Sequence, residues 1–149
     1  MSKKRRKSKA AGGQRLYFGA DVPMRAIRSF ARHVAERFEP DKIILFGSHA
    51  YGSPHADSDV DILVVMPARN QHDQAFKIRQ AVDAPFPMDL VVRTPANLRW
   101  RLAEGESFST EIVTKGKVLY EKIDSRMDKE GRRRLSRRDR PRLKNRSTS

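Results

Sequence analysis

The stretch that decides the reading runs from Lys42 to Val65, KIILFGSHAYGSPHADSDVDILVV. Its first residues, Lys42–Phe46, form a short β-branched apolar run that fits a buried strand. Gly47–Pro54 (GSHAYGSP) is rich in turn formers, with room for one helical turn from Ser48. Asp59–Val65 (DVDILVV) reads as a second strand. Side chains alternate along a strand, so Asp59 and Asp61 share one face while Val60 and Ile62 share the other. Two neighbouring carboxylates repel, and burying either one unpaired is costly. A divalent cation resolves that conflict. Mg²⁺ favours one or two carboxylates completed by phosphate and water oxygens. Taken alone, an Asp-x-Asp pair fits a solvated strand start behind the turn residues Asp57 and Ser58 better than a metal site, because short patterns recur by chance.

The preceding turn adds weight. Gly47 follows the first strand directly, and a glycine there lets the backbone approach a phosphate. The first N–H groups of the helical turn would face that anion, and the Ser48 hydroxyl adds a donor. Gly47 and Gly52, with four residues between them, imitate the first half of a P-loop. The Lys-Ser/Thr that must follow is replaced by Ser53-Pro54, which excludes that loop.

Outward from this stretch, residues 24–38 place Ile27, Phe30, Ala31, Val34 and Phe38 at helical spacing, with Asp21 and Pro23 before them and Pro40 after. Residues 70–82 predict another helix, with Phe76, Ile78 and Val82 among its apolar positions, and Pro85 and Pro87 break the chain behind it. Met88–Val92 (MDLVV) is a third strand. Thr94 caps a further helix that has Pro95 at its first position. A short helix over 108–115 and a strand Lys117–Tyr120 complete the set. The order α-β-α-β-α-β-α-α-β predicts an α/β (α+β) domain, a layered sheet with helices packed on it. Asp89 is out of place in its apolar strand unless it is paired or faces solvent on an edge. With the third strand beside the second, Asp89 would reach the same cations as Asp59 and Asp61. Three such carboxylates could hold two metal ions for an in-line displacement at phosphorus.

Taken in order, Gly47-Ser48, Asp59-x-Asp61 and Asp89 resemble the signature of the polymerase-β-type nucleotidyltransferase superfamily. The similarity covers roughly residues 24–122, and Glu111–Glu121 (EIVTKGKVLYE) resembles the close of such domains. The small size is most similar to the minimal, MntA-like members, some of which act as antitoxins beside an all-helical HEPN toxin. The resemblance implies a nucleotidyltransferase fold, with a small mixed sheet of about four strands and flanking helices. It implies that Gly47 and Ser48 bind the nucleotide triphosphate and that Asp59, Asp61 and Asp89 are the catalytic metal ligands. Asp89 would also help activate the acceptor hydroxyl. Two Mg²⁺ ions, ATP or another NTP as donor, and a hydroxyl on a protein or RNA as acceptor follow, with a HEPN-type partner in the antitoxin setting. Two alternatives stand beside this one: an antitoxin that acts by contact alone, and an aminoglycoside-like transfer to a small molecule. Enzymes of the latter kind usually carry an additional helical domain.

Charge separates the chain into parts. Of the net +14, residues 1–16 carry seven Lys/Arg and no acid, and residues 125–149 carry eleven Lys/Arg against three acids. Residues 17–124 are balanced, fourteen against fifteen, and form the expected domain between two disordered basic tails. Such tails favour RNA or other polyanions by counterion release, although they lack the aromatic residues of base-stacking surfaces, and solubility explains them equally well. The absence of cysteine excludes a disulfide-stapled fold and a Cys-ligated zinc site. The longest apolar run, Ile62–Met66, is far short of the roughly 18 residues that span a bilayer. The basic N-terminus has no apolar segment behind it, so a cytoplasmic location without membrane contact is expected. His49 and His55 read as exposed loop residues, and Tyr51 and Trp100 as packing residues. Lys77 and Arg79 read as a solvated helix face rather than as triphosphate contacts. Arg28 and His33 match the Arg-x₄-His spacing of HEPN nucleases by chance.

Overall fold

A computed structural model describes residues 15–123. Apart from Arg15 and Leu16, the two basic tails expected over 1–16 and 125–149 lie outside the described residues. Helix α1 (Met24–Phe38) forms because one stripe of it is apolar. Ile27, Phe30, Ala31 and Val34 are buried, and Arg25, Arg28 and Arg32 face outward. It ends at Glu39, whose backbone is left-handed (φ 49°) and whose N–H donates to the Ala35 carbonyl at 3.0 Å. Pro40 follows, and a residue before proline is disfavoured from continuing a helix.

The remaining elements are β1 (Lys42–Phe46), α2 (Ser48–Tyr51), β2 (Val60–Val65), α3 (Gln71–Ala81), β3 (Met88–Arg93), α4 (Pro95–Ala103), α5 (Ser107–Lys115) and β4 (Lys117–Glu121). Type and order match the sequence expectation, and the differences lie at the ends. β2 starts at Val60, whose N–H donates to the Pro87 carbonyl at 3.0 Å, which leaves Asp59 just ahead of the strand. Asn70 caps α3 instead of joining it, accepting from the Asp73 N–H at 3.0 Å. Thr94 caps α4 as expected, accepting from the Asn97 N–H at 3.1 Å. A 3₁₀ turn over Gly19–Asp21 was not anticipated.

The four strands form one mixed sheet in the order β3-β2-β1-β4. β2 and β3 are parallel, with α3 as the crossover between them, and the other pairs are antiparallel. On one face, Ile27, Phe30 and Val34 of α1 and Ile78 of α3 meet Ile43, Leu45, Ile62, Val64 and Val92. Phe30 and Phe86 meet there edge to face, with centroids 6.0 Å apart. On the other face, Ile44, Phe46, Leu63 and Val65 lie under Ile112 of α5 and Leu98 of α4. β1 and β2 are therefore covered on both sides, which is why their sequences are unbroken apolar runs. By alternation, Asp61 belongs to the face of Leu63 and Val65, the one under α4 and α5.

Two expectations are corrected. Phe76 and Trp100 are exposed rather than packed. α3 buries only Ile78 and α4 buries no residue, because no further layer covers either helix among the described residues. Among those residues, no helix is long and apolar enough to cross a membrane.

Phe30→Ala removes the central ring of the larger core. Losses at such sites run to about 3–5 kcal/mol, a large share of the stability of a small domain. The urea midpoint of this variant is expected to fall steeply with the slope unchanged. A shift equivalent to less than about 1 kcal/mol would mean that the site collapses around the gap.

Candidate active site

β1 ends at Phe46, and Gly47 then adopts φ 74° and ψ −164°, a region that essentially only glycine occupies. This bend starts α2 at Ser48. A Cβ placed on Gly47 would overlap Oδ2 of Asp61 and lie 3.1 Å from its Cγ, so the carboxylate rests directly against the glycine backbone. Two ladders position Asp61. It is the antiparallel partner of Phe46 and the parallel partner of Asp89. Gly47, Asp61 and Asp89 therefore adjoin at one end of the sheet, with Ser48 next to Gly47 and Asp59 just ahead of β2. Asp89 satisfies both conditions weighed for it at once, being exposed on an edge strand and registered beside Asp61.

The charges at this end are in conflict. Burial first, then the charges of Asp89 and Asp59, together push the Asp61 carboxyl up to about 6. Among the described residues, no three acidic, histidine or cysteine side chains gather around one point as a metal would require. The donors themselves, carboxylate oxygens on adjacent strands, suit a hard divalent cation.

Several neighbours escaped the sequence. Ser58 is buried, and its Oγ accepts from the Ser48 hydroxyl and from the His55 N–H, both at 2.9 Å. It ties the Gly-Ser turn to the segment that delivers Asp59. His49, expected to be exposed, is buried, and its Nε2 has no hydrogen-bond partner among the described residues. Burial lowers its pKa, against the Ser58 backbone and Asp59, which raise it. A four-residue helical turn is too short for periodicity to reveal that inward position. His55 is exposed as expected, whereas Tyr51, expected to pack, is exposed at the end of α2. Lys77 is exposed, and the Arg79 guanidinium donates to the Met88 carbonyl at 3.0 Å, next to Asp89. Arg28 and His33 are exposed on α1.

Two measurements check this geometry. The folded pKa of Asp61 lies above its unfolded value of 3.8. The ionised form is therefore disfavoured by the fold, and metal-free stability falls as pH rises from about 4 through about 6. Asp61→Asn removes that penalty. It is expected to stabilise the metal-free protein above pH 7 by on the order of 1 kcal/mol after solvent screening, or about 5 °C in Tm. An unchanged or lower Tm would count against the carboxylate conflict. Separately, Gly47→Ala is expected to cost about 1–3 kcal/mol and less in an Asp61→Ala background. A double-mutant cycle reads this coupling, and simple additivity would mean that the carboxylate does not press on Gly47.

The comparisons with known proteins bear on this arrangement. Residues 27–120 match the family described as nucleotidyltransferase domain. The chain is similar to a solved structure of a candidate nucleotidyltransferase from Sulfolobus solfataricus, with 16% identity and a TM-score of 0.45, over 66% of this chain and 80% of that one. It is also similar to a solved structure of a mutant of the toxin–antitoxin MntA–HpeT, with 20% identity and a TM-score of 0.42, over 73% of this chain and 84% of that one. No curated protein matches. With its mixed four-stranded sheet and the family match spanning most of the described residues, the chain belongs to the nucleotidyltransferase domain family and is a nucleotidyltransferase.

Proposed function

We propose that this nucleotidyltransferase moves AMP from ATP to a hydroxyl on a protein or RNA, with Mg²⁺ held by Asp59, Asp61 and Asp89. The observation that carries the reading is the register that pairs Asp61 with Asp89 while the Asp61 carboxylate lies against Gly47. In this reading Gly47, having no side chain, lets the triphosphate come up to the backbone, and Ser48 turns its hydroxyl from Ser58 to a phosphate oxygen. The acceptor oxygen bonds to the α-phosphorus, the bond from that phosphorus to the β-phosphate bridging oxygen breaks, and pyrophosphate leaves. The acceptor's proton passes to Asp89, the outermost and most accessible carboxylate of the registered pair. Bound Mg²⁺ would supply charge neutralisation and a template for the attacking and leaving oxygens. It would also keep Asp61 ionised, against the environment that raises its pKa.

The choice of a macromolecular acceptor rests on access. Asp59 and Asp89 are both exposed, so a hydroxyl on a large surface can reach them. ATP as donor and a HEPN-type toxin as partner rest on the resemblance to minimal nucleotidyltransferases, some of which are antitoxins. RNA contact through the basic ends rests on their charge.

The test is incubation with labelled ATP, Mg²⁺ and candidate acceptors, comparing wild type with the Asp59→Ala/Asp61→Ala variant. At least a 100-fold loss of label transfer is expected, and equal labelling would sink the proposal. In the antitoxin setting, the same variant should fail to rescue cells from the toxin. Full rescue would mean neutralisation by contact.

A further inference from the structure

The sheet face that carries Asp61 also carries an aromatic pair. Phe46 is the direct antiparallel partner of Asp61, and such partners project to the same side. Phe46 is only 7% exposed, because Phe108 of α5 lies against it with ring centroids 5.6 Å apart and planes at 88°. The course of α5 is set by its other end. Gly116 passes so close to β1 that a Cβ there would lie 2.6 Å from Cγ2 of Ile44 and 2.9 Å from the Leu45 carbonyl oxygen. Ile112 is buried against the same face. The helix therefore begins against Phe46 and ends beside Ile44 and Leu45, where β4 starts at Lys117 opposite Leu45. Phe108 is 43% exposed although it anchors an aromatic contact. An edge-to-face contact occupies at most one face of a ring, so Phe108 keeps a face that Phe46 does not cover.

We infer that Phe108 is the platform on which the base of the nucleoside triphosphate stacks, with Phe46 holding its ring in place. This deepens the reading of Gly47, Ser48 and the three carboxylates and rests on it. With the triphosphate at Gly47–Ser48 and the α-phosphorus at Asp61, the nucleoside extends along the face that Asp61 shares with Phe46. A π-face accepts any base, and the larger purine face gains more than a pyrimidine. Tyr51 is the rival platform. It is exposed at the end of α2, but no ring packs against it among the described residues, so its orientation is not held.

The experiment uses the full chain with Ca²⁺ in place of Mg²⁺ to slow turnover, and measures affinity for ATP, CTP and inorganic tripolyphosphate by calorimetry. The variants are Phe108→Ala, Phe108→Leu, Phe108→Tyr and Tyr51→Ala. Phe108→Leu keeps an apolar cover over Phe46, and its Tm reports whether the fold is intact. Loss of one stacked base corresponds to roughly 10- to 100-fold in affinity. Phe108→Ala and Phe108→Leu are expected to weaken ATP by that factor, reduce its advantage over CTP, and leave tripolyphosphate unchanged. Phe108→Tyr and Tyr51→Ala should bind ATP as wild type does. Undiminished ATP affinity in Phe108→Leu overturns the inference, as does an equal loss of ATP and tripolyphosphate or a loss confined to Tyr51→Ala. Wild type that binds neither ATP nor tripolyphosphate overturns the phosphate-site reading itself, which separates the two failures.

Discussion

The candidate active site depends on one contact, the Asp61 carboxylate resting on the backbone of Gly47. It joins the end of β1 to the start of β2 and places an anion where the chain makes a turn that only glycine tolerates. Among the described residues, no ion pair neutralises that anion. Partial burial raises its pKa, and Asp89 and Asp59, both acids, raise it in the same direction. A fold selected for stability alone would not register Asp61 beside Asp89 with Asp59 just ahead of the same strand. Local rules are broken most readily where a ligand supplies the missing partner, and a divalent cation is a partner of the required sign.

The rest of the architecture holds that contact in place. β2 lies between β1 and β3 and is buried on both faces, so its register cannot slip by one residue without turning Leu63 and Val65 away from their core. The same register fixes Asp61 opposite both Phe46 and Asp89. The two faces of the sheet differ in role. The α1–α3 side holds the larger core and no site residue. The α4–α5 side is thinner, and at its open end it brings carboxylates, a glycine turn and an aromatic pair together.

Much of this was legible in the chain because the relevant signals are local. Periodicity, caps and proline breaks specified the four strands and the helices α1, α3 and α5 to within a residue or two, whereas Asp59, read as the first residue of the second strand, lies just ahead of it. The misjudged residues are those whose environment depends on distant neighbours. His49 lies in a turn too short to show a period, yet the loop carrying Ser58 buries it. Trp100 is apolar enough for a core, yet no layer covers α4 among the described residues. Ser58 looks like any turn residue until its hydroxyl is found under Ser48.

By itself the sequence determined the element types, their order and the residue types from which the site is made. These follow from interactions between residues a few positions apart, which composition and spacing encode directly. Only the tertiary structure decided that β3 lies beside β2 and that α5 brings Phe108 onto Phe46. Strand order and helix docking are chosen by which apolar faces bury together most completely. That selection is made over the whole chain at once, and no single stretch of it carries the answer.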